Sequence, residues 1–500
     1  MIFQAFFEAL RSFLSLEIWL ILFTGAFVGI IFGIIPGLGS IVAMAVFLPL
    51  VFFMTPDQAL PLFVAICATG YTGGSVTAIL LNIPGTSPNA ATLIDGYPMT
   101  QKGEGARALG AALMSSAMGG MLSVFLALGM VPLVLPLIFA ITSADMVFVV
   151  LIGISFIAVL SKGSMIKGLL AGCIGILISF IGHHVTTGLI RFSFGTIYLI
   201  DGLPLIGLTL GLYAIPEMIS LAARGGSIAK RENVVLTLRG TWEGAKDVFR
   251  HWGLWLRSSV IGYIIGIIPG VGAMTSIFVA YGQAKHISKH PEKFGTGIVE
   301  GVIAPESANN GKEGGALLTT LALGIPGSAE MVVLLGAFLM LGIRPGPSMM
   351  TQYLPLSFKL IQILFIGSLI GGVVCFFLAP RLARVATIPA RVLVPLVVVL
   401  VFVGAFSHQE RLMDLVVLLV FGLIGLAMKK YGFNRPALLL GWVLGNLFEK
   451  YLFIAYGTAG PLFFIRPISL TLIAVLLGLF LFQPVKNLIQ RRSSVKDGQA

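Results

Sequence analysis

Residues 33–40 read GIIPGLGS, and residues 266–273 read GIIPGVGA, an offset of 233 (266 − 33). Each copy interrupts a long apolar stretch. A second pair follows in the same order: IPGT at 83–86 and IPGS at 325–328, an offset of 242 (325 − 83). Upstream of each IPG lies a glycine pair, Gly73–Gly74 and Gly314–Gly315. The nine-residue difference between the offsets falls on the charged loop KHISKHPEKF (285–294), whose counterpart is the short TPDQ (55–58). Two blocks in the same order, twice, mark a duplication.

Proline removes a backbone donor and breaks a helix, and glycine frees the chain from helical geometry. In a bilayer the released backbone groups cost several kcal/mol each unless they are buried in protein or face a polar cavity. A single Pro-Gly kink is ordinary in a membrane helix. Four in matched positions of two halves point to a transporter site at a repeat interface.

Composition sets the surroundings. The chain has 500 residues, 57% of them apolar and 10% charged. Soluble domains carry about 25% charged residues, and the mean hydropathy here is +1.01. This excludes a soluble enzyme. At about 20 apolar residues per crossing there is room for a dozen or so spans. Leu-, Ile-, Gly- and Ala-rich runs without two-residue alternation predict helices rather than a barrel. The predicted fold is an all-α polytopic membrane protein of about a dozen helices. It has two repeats with Pro-Gly-broken helices and hairpins. The N-terminus lacks a basic region ahead of its first apolar stretch, so 17–35 is expected to be a retained span.

The formal charge is +12. The basic residues sit in short loops, which marks those loops as cytoplasmic rather than as a nucleic-acid face. The basic stretch 222–257 is taken as a cytoplasmic linker between a first transmembrane repeat, 1–221, and a second, 258–483, with 484–500 as a cytoplasmic tail. Spans are predicted at 106–134, 144–160, 164–182, 196–221, 355–380, 389–406, 411–428, 435–453 and 462–483. Lys102 then lies inside and Arg344 outside, so the repeats have opposite orientation. Segments 58–100 and 300–345 are too polar for simple spans and read as inserted hairpins or broken helices.

Polar residues concentrate in YTGGSVTAILLNIPGTSPNAATLIDG (71–96) and EGVIAPESANNGKEGGALLTTLALGIPGSAE (300–330). A half-helix N-terminus suits a carboxylate, and unwound carbonyls suit Na⁺. Substrate-binding candidates are Thr86, Ser87, Asn89, Asn309, Asn310 and Ser328, with Lys312 placed to receive a carboxylate. The turns at Pro36, Gly37, Gly39 and Ser40, and at Pro269, Gly270 and Gly272, are candidates for the coupling cation. Glu306 or Glu313 would carry a proton or bind a cation, because a charge in the membrane is functional by default. The bland alternative places Glu306, Lys312 and Glu313 at a membrane edge, solvated or paired together. Asp57, Asp95 and Glu330 are expected at the interface. Cys67, Cys173 and Cys375 are too scattered for disulfides or zinc and read as small core residues. The histidines read as loop residues. No phosphate loop, GxSxG or HExxH occurs, so neither ATP-driven transport nor intramembrane hydrolysis has a visible motif.

GIIPGLGS, YTGGS…NIPGTSPNAAT, GIIPGVGA and APESANNGKEGGALLTTLALGIPGS resemble the large membrane subunit of the tripartite tricarboxylate transporters, the TctA family. The resemblance covers nearly the whole chain. It implies a secondary transporter of the bacterial inner membrane. Its partners would be a periplasmic solute-binding protein, a small four-helix membrane subunit, citrate or another carboxylate, and the lipid bilayer. It implies no bound cofactor beyond a coupling cation, Na⁺ or H⁺. A channel for small organic anions and a membrane-embedded enzyme remain the alternatives.

Overall fold

The structure is a computed structural model. It describes residues 2–159, 165–184, 187–224, 237–269, 272–382, 388–407 and 410–478. Gly270, residues 225–236 of the basic stretch and the tail 484–500 therefore lie outside the described residues. Among those described, seven helices are long and apolar enough to cross a membrane, and the chain is a multi-pass α-helical membrane protein.

The chain forms two compact units that cut across the division read from the sequence. The first comprises Met1–Pro136 and Pro204–Leu426, and the second Leu137–Leu203 and Ala427–Ala500. The helices of the N-terminal part are α1 (Ile2–Arg11), α2 (Leu16–Ile34), α3 (Gly39–Phe47), α4 (Pro56–Leu81), α5 (Ala90–Gln101) and α6 (Gly105–Ala140). Next come α7 (Ser143–Val159) and α8 (Met165–Ser179), then α9 (Leu205–Arg224), α10 (Leu238–Arg250), α11 (Trp252–Ile267) and α12 (Gly272–Ile287). The chain continues through α13 (Glu300–Leu323), α14 (Ala329–Met340), α15 (Leu354–Leu382), α16 (Ala390–Phe406), α17 (Leu412–Tyr431) and α18 (Arg435–Ala459). The second unit holds α7, α8, a two-strand hairpin and α18. There, buried Glu449 takes both terminal nitrogens of Arg191 at 2.7 and 2.8 Å and faces His184 at 3.2 Å. His184 lies in the loop just after the first strand of the hairpin, as a buried partner.

The breaks fall where proline and glycine put them. α2 stops at Ile34 before Pro36, and Gly39 opens α3 at φ +67°. α11 stops at Ile267 before Pro269, and Gly272 opens α12 at φ +70°. α4 and α13 end on left-handed caps, Asn82 (φ 56°) and Gly324 (φ 69°), just before the IPG turns. The polar segments are therefore full-length helices, each followed by a half-length one.

The duplication extends to individual contacts. A β-carbon on Gly29 would meet the Ile66 carbonyl at 2.5 Å, and one on Gly262 the Ala308 carbonyl at 2.5 Å. A β-carbon on Gly85 would meet the Gly74 Cα at 2.6 Å, and one on Gly327 the Ala316 Cα at 2.5 Å. Gly73 packs on the Ile30 carbonyl, and Gly315 on that of Tyr263. Offsets of 233 for α2/α11 and 242 for α4/α13 reproduce every pair. The glycine pairs are thus one residue out of the register read from sequence: Gly73 matches Gly315, and Gly74 matches Ala316.

α4 and α13 run in opposite senses where they meet. Cys67 contacts Glu313, Thr72 contacts Asn310 and Ser75 contacts Glu306. An apolar core of Ile30, Ile34, Val76, Ile79, Leu109, Leu113, Val302 and Ile303 flanks this crossing. At about 25 cal/mol per Å² such aliphatic burial is the main term holding polar groups in place.

Candidate functional site

Glu306 sits in the second turn of α13 and is fully buried. Its carboxylate accepts from Ser75 Oγ (2.8 Å), from Asn89 Nδ2 (3.4 Å) and from Thr92 Oγ1. All three donors come from the first half of the chain. Asn89 also reaches Ser75 Oγ (2.9 Å) and the Tyr71 carbonyl (3.1 Å), and its own oxygen accepts from Thr86. Among the described residues no cationic side chain forms an ion pair with Glu306. A buried, unpaired carboxylate is costly as an anion. The pocket offers that carboxylate, two hydroxyls and one backbone carbonyl. This is a set of hard oxygens able to hold a small cation, or to hold a proton on the acid.

The duplicate of this pocket is apolar. By the 242-residue offset Glu306 corresponds to Val64, Ser75 to Leu317, Asn89 to Met331 and Thr92 to Leu334. The fold is doubled but its chemistry is not.

A second cluster lies further along α13. Lys312, 1% exposed, forms an ion pair with Glu313, and its ammonium sits 4.7 Å from the centre of the Tyr71 ring. Cys67 donates to Glu313 (3.3 Å), and the Tyr71 hydroxyl donates to Glu330 in the first turn of α14. Lys312 and Glu313 are therefore paired with each other and not solvated. Glu330 and Asp95 are buried as well. Each has found a partner in a distant segment.

Several buried polar atoms have no hydrogen-bond partner among the described residues: Ser40 Oγ, both amide atoms of Asn309, Asn310 Oδ1, Ser328 Oγ and Ser368 Oγ. Buried polar groups are normally paired, so these mark where water or a ligand is accommodated. Asn310 uses its Nδ2 on Thr72 Oγ1 (3.1 Å) and the Ala68 carbonyl (3.3 Å). Ser40 lies against Gly70, where a β-carbon would collide with it. Ser328 stands immediately before α14 without capping it, whereas its counterpart Thr86 is engaged by Asn89.

The structure thus gathers Thr86, Asn89 and Glu306 into one network and places Lys312 in the other. Ser87 is exposed, away from both. Pro36 and Gly39 are buried beside Ser40, Gly37 is exposed, and Pro269 and Gly272 are half-buried. Gly37 donates its N–H to the Gly85 carbonyl (3.3 Å), tying the first turn to the first IPG break. Sequence reading passed over Ser75, Thr92, Tyr71 and Cys67 as site residues. All but Cys67 lay inside the polar stretch already singled out. Cys67 is buried at this site, Cys375 is buried elsewhere, and Cys173 is exposed rather than in the core.

Comparison with known proteins follows the same direction. The model of the tripartite tricarboxylate transporter TctA family matches residues 19–440. An uncharacterized 52.8 kDa protein in the TAR-I ttuC' 3' region of Agrobacterium vitis is 32% identical over 477 residues, covering 95% of this chain and 94% of that protein. An uncharacterized protein in the TAR-II ttuC' 3' region of the same organism is 35% identical over 240 residues, covering 47% of this chain and 97% of that protein. No solved structure matches. The matched family is one of transporter subunits and not of enzymes. A family match over most of the length, carried by the two Pro-Gly blocks and the polar helices between them, means that this chain belongs to the tripartite tricarboxylate transporter TctA family.

Proposed function

We propose that this chain is the substrate-translocating membrane subunit of a binding-protein-dependent secondary transporter of the bacterial inner membrane. It imports tricarboxylates or related carboxylates by symport with a cation, Na⁺ or H⁺. A periplasmic solute-binding protein delivers the solute, and a small four-helix membrane subunit completes the complex. The observation that carries this reading is Glu306: a fully buried carboxylate held by neutral donors of the other repeat. Such a group is stable only with a proton or cation, and it binds the two halves together when neutralised.

In this reading the repeats are inverted. Two observations support it besides the antiparallel crossing of α4 and α13. Ala68 and Asn310 occupy equivalent positions (310 − 68 = 242) and touch each other. A β-carbon on Gly119 would stand 3.2 Å from the Ser307 Cα, and one on Gly367 2.9 Å from the Ala68 Cβ and 3.7 Å from the Ala65 Cα, which agrees with an offset of 248 for α6 and α15. By that offset Gly120 and Ser368 are equivalent, and they also touch. Residues that touch their own equivalents lie on a two-fold axis, and antiparallel partners place that axis in the membrane plane. The two-fold then relates an outward-open to an inward-open arrangement, as in other inverted-repeat carriers.

The solute's carboxylates would meet the free groups of Asn309, Asn310 and Ser328 and the N-terminus of α14, with Lys312 exchanging Glu313 for the solute. Ser40 and the turns at Pro36 and Pro269 would close around the cation. The test is uptake of radiolabelled citrate, with di- and tricarboxylates as a panel, into vesicles carrying this chain with its two partners. A Na⁺ gradient, a proton gradient or neither is imposed. Saturable uptake that needs the binding protein and follows one gradient supports the proposal. Non-saturating flux that ignores both gradients would instead favour a channel.

A further inference from the structure

The Lys312 cluster carries a charge imbalance of its own. Two carboxylates, Glu313 and Glu330, share one ammonium, Lys312, and all three are at most 5% exposed. Lys312 is bonded to Glu313 alone, whereas Glu330 is met by the neutral hydroxyl of Tyr71. The charged groups facing Glu313 are Lys312 and Glu330; those facing Tyr71 are Glu330 and Glu313. α4 contributes only the neutral Cys67 and Tyr71, and α6 only Ser123, which accepts from the Gly314 N–H. The N-terminus of α14 offsets about half a charge near Glu330. The remainder has no compensation in the described protein.

Three further buried polar atoms near this stretch are unpaired among the described residues. Asn309 is fully buried, lies one turn before Glu313 on the same face of α13, and has both amide atoms unpaired. Ser328 Oγ, on a residue 2% exposed and two residues before Glu330, is also unpaired. These are an amide oxygen and a hydroxyl beside a carboxylate with excess negative charge. That excess negative charge favours a small monovalent cation, and only with one bound could a solute carboxylate approach the same groups.

We infer that the Tyr71–Lys312–Glu313–Glu330 cluster, with Asn309 and Ser328, holds a second exchangeable monovalent cation, separate from that at Glu306. It rests on the proposal above for its role in transport, but not for its existence. Glu306 and Glu313 are seven residues apart on one helix, so the sites lie about 10 Å apart along α13 at 1.5 Å per residue.

The test needs no solute. Purified full-length protein in detergent is assayed for equilibrium binding of radioactive Na⁺, and for proton uptake by potentiometric titration between about pH 5 and pH 9. Counts over both arms are read as differences from wild type, because the six histidines titrate in the same range in every sample. Glu330→Gln and Glu313→Gln should each lower the summed count by one per chain, because either change leaves Lys312 with a single carboxylate. Lys312→Met should raise it by one. The loss appears in the Na⁺ arm if the cation is Na⁺ and in the titration arm if it is H⁺. A wild-type count in both arms for Glu330→Gln and Glu313→Gln overturns the inference. Glu306→Gln is the independent arm: an unchanged count there removes the first cation site and leaves this one standing.

Discussion

Gly33→Ala and Gly266→Ala should damage the protein equally, although the two residues are 233 positions apart. A β-carbon on Gly33 would stand 2.8 Å from the Gly70 carbonyl carbon and 3.1 Å from its Cα. On Gly266 it would stand 2.9 and 3.0 Å from the same atoms of Lys312. Carbon atoms rest about 3.5–4.0 Å apart, and the carbonyl oxygens of Gly70 and Lys312 are nearer still, at 2.0 and 2.1 Å, so each helix must retreat by about 1 Å or more. The obstacle is backbone, which cannot rotate away. Overpacking of this kind costs about 3 kcal/mol. The better helix propensity of alanine returns about 1 kcal/mol, leaving a net loss of about 2 kcal/mol, or about thirtyfold in the unfolding equilibrium. The double variant should lose about 4 kcal/mol, since the two sites are independent. Gly129→Ala is the control. Nothing lies within 4 Å of its β-carbon position, so it should be neutral or gain up to about 1 kcal/mol. The assay is denaturant unfolding of purified protein, followed by tryptophan fluorescence. If the two variants differ by more than about 1 kcal/mol, or match Gly129→Ala, the repeated packing is not as described.

Three further predictions concern single side chains. Asp95 accepts the N–H groups of Gly295 (2.9 Å), Gly297 (2.8 Å) and Ile298 (3.1 Å) on one oxygen and the Tyr281 hydroxyl (2.8 Å) on the other. Asp95→Ala strands those donors at a cost of about 3 kcal/mol. Amide exchange at 295–298 should therefore speed up at least about tenfold; unchanged exchange would show that the loop is held otherwise. Burial pushes the Asp247 carboxyl up, but hydrogen bonds from Arg107 and Arg250, with their charges, outweigh it and hold it below the usual carboxylate range. Its folded value is the depressed one, so its contribution to docking α10 is complete above the unfolded value of about 3.9 and is lost as pH falls through the folded value. Fluorescence of Trp242 and Trp252 should report an acid transition that Asp247→Asn abolishes; a transition surviving in the variant would assign it to another group. Asn310→Ala removes the contacts to Thr72 and Ala68 at the crossing and should abolish uptake at normal membrane levels, whereas normal uptake would take Asn310 out of the site.

The breaks and the spans were readable because proline and glycine act locally. Pro36, Pro269 and the two IPG turns end their helices where backbone chemistry requires, and the apolar runs became helices within a few residues of the predicted bounds at 17–35, 355–380 and 389–406. What could not be read was pairing across the molecule. Glu306 was singled out for its charge, but Ser75 and Thr92 acquire meaning only once α4 and α13 cross in opposite senses. The burial of Asp95 and Glu330 left no local trace, because an acid among glycines has no local reason to be buried. Their partners, Gly295–Ile298 and Tyr71, lie about 200 and 259 residues away in sequence. Ser87 shares its neighbours' composition but faces outward, since side-chain direction in an irregular turn leaves no periodic trace. The glycine pairs were misaligned by one residue because two adjacent glycines look alike in either register.

Glu306→Gln keeps the size of the side chain and one acceptor oxygen, enough for Thr92 and Asn89, turns the oxygen facing Ser75 into an N–H donor, and removes the charge. The decisive measurement compares gradient-driven accumulation with solute counterflow in vesicles carrying the complete complex. If Glu306 couples the cation to the solute, the variant exchanges solute across the membrane but no longer concentrates it when the gradient is imposed. Accumulation at the wild-type level in Glu306→Gln would contradict the account.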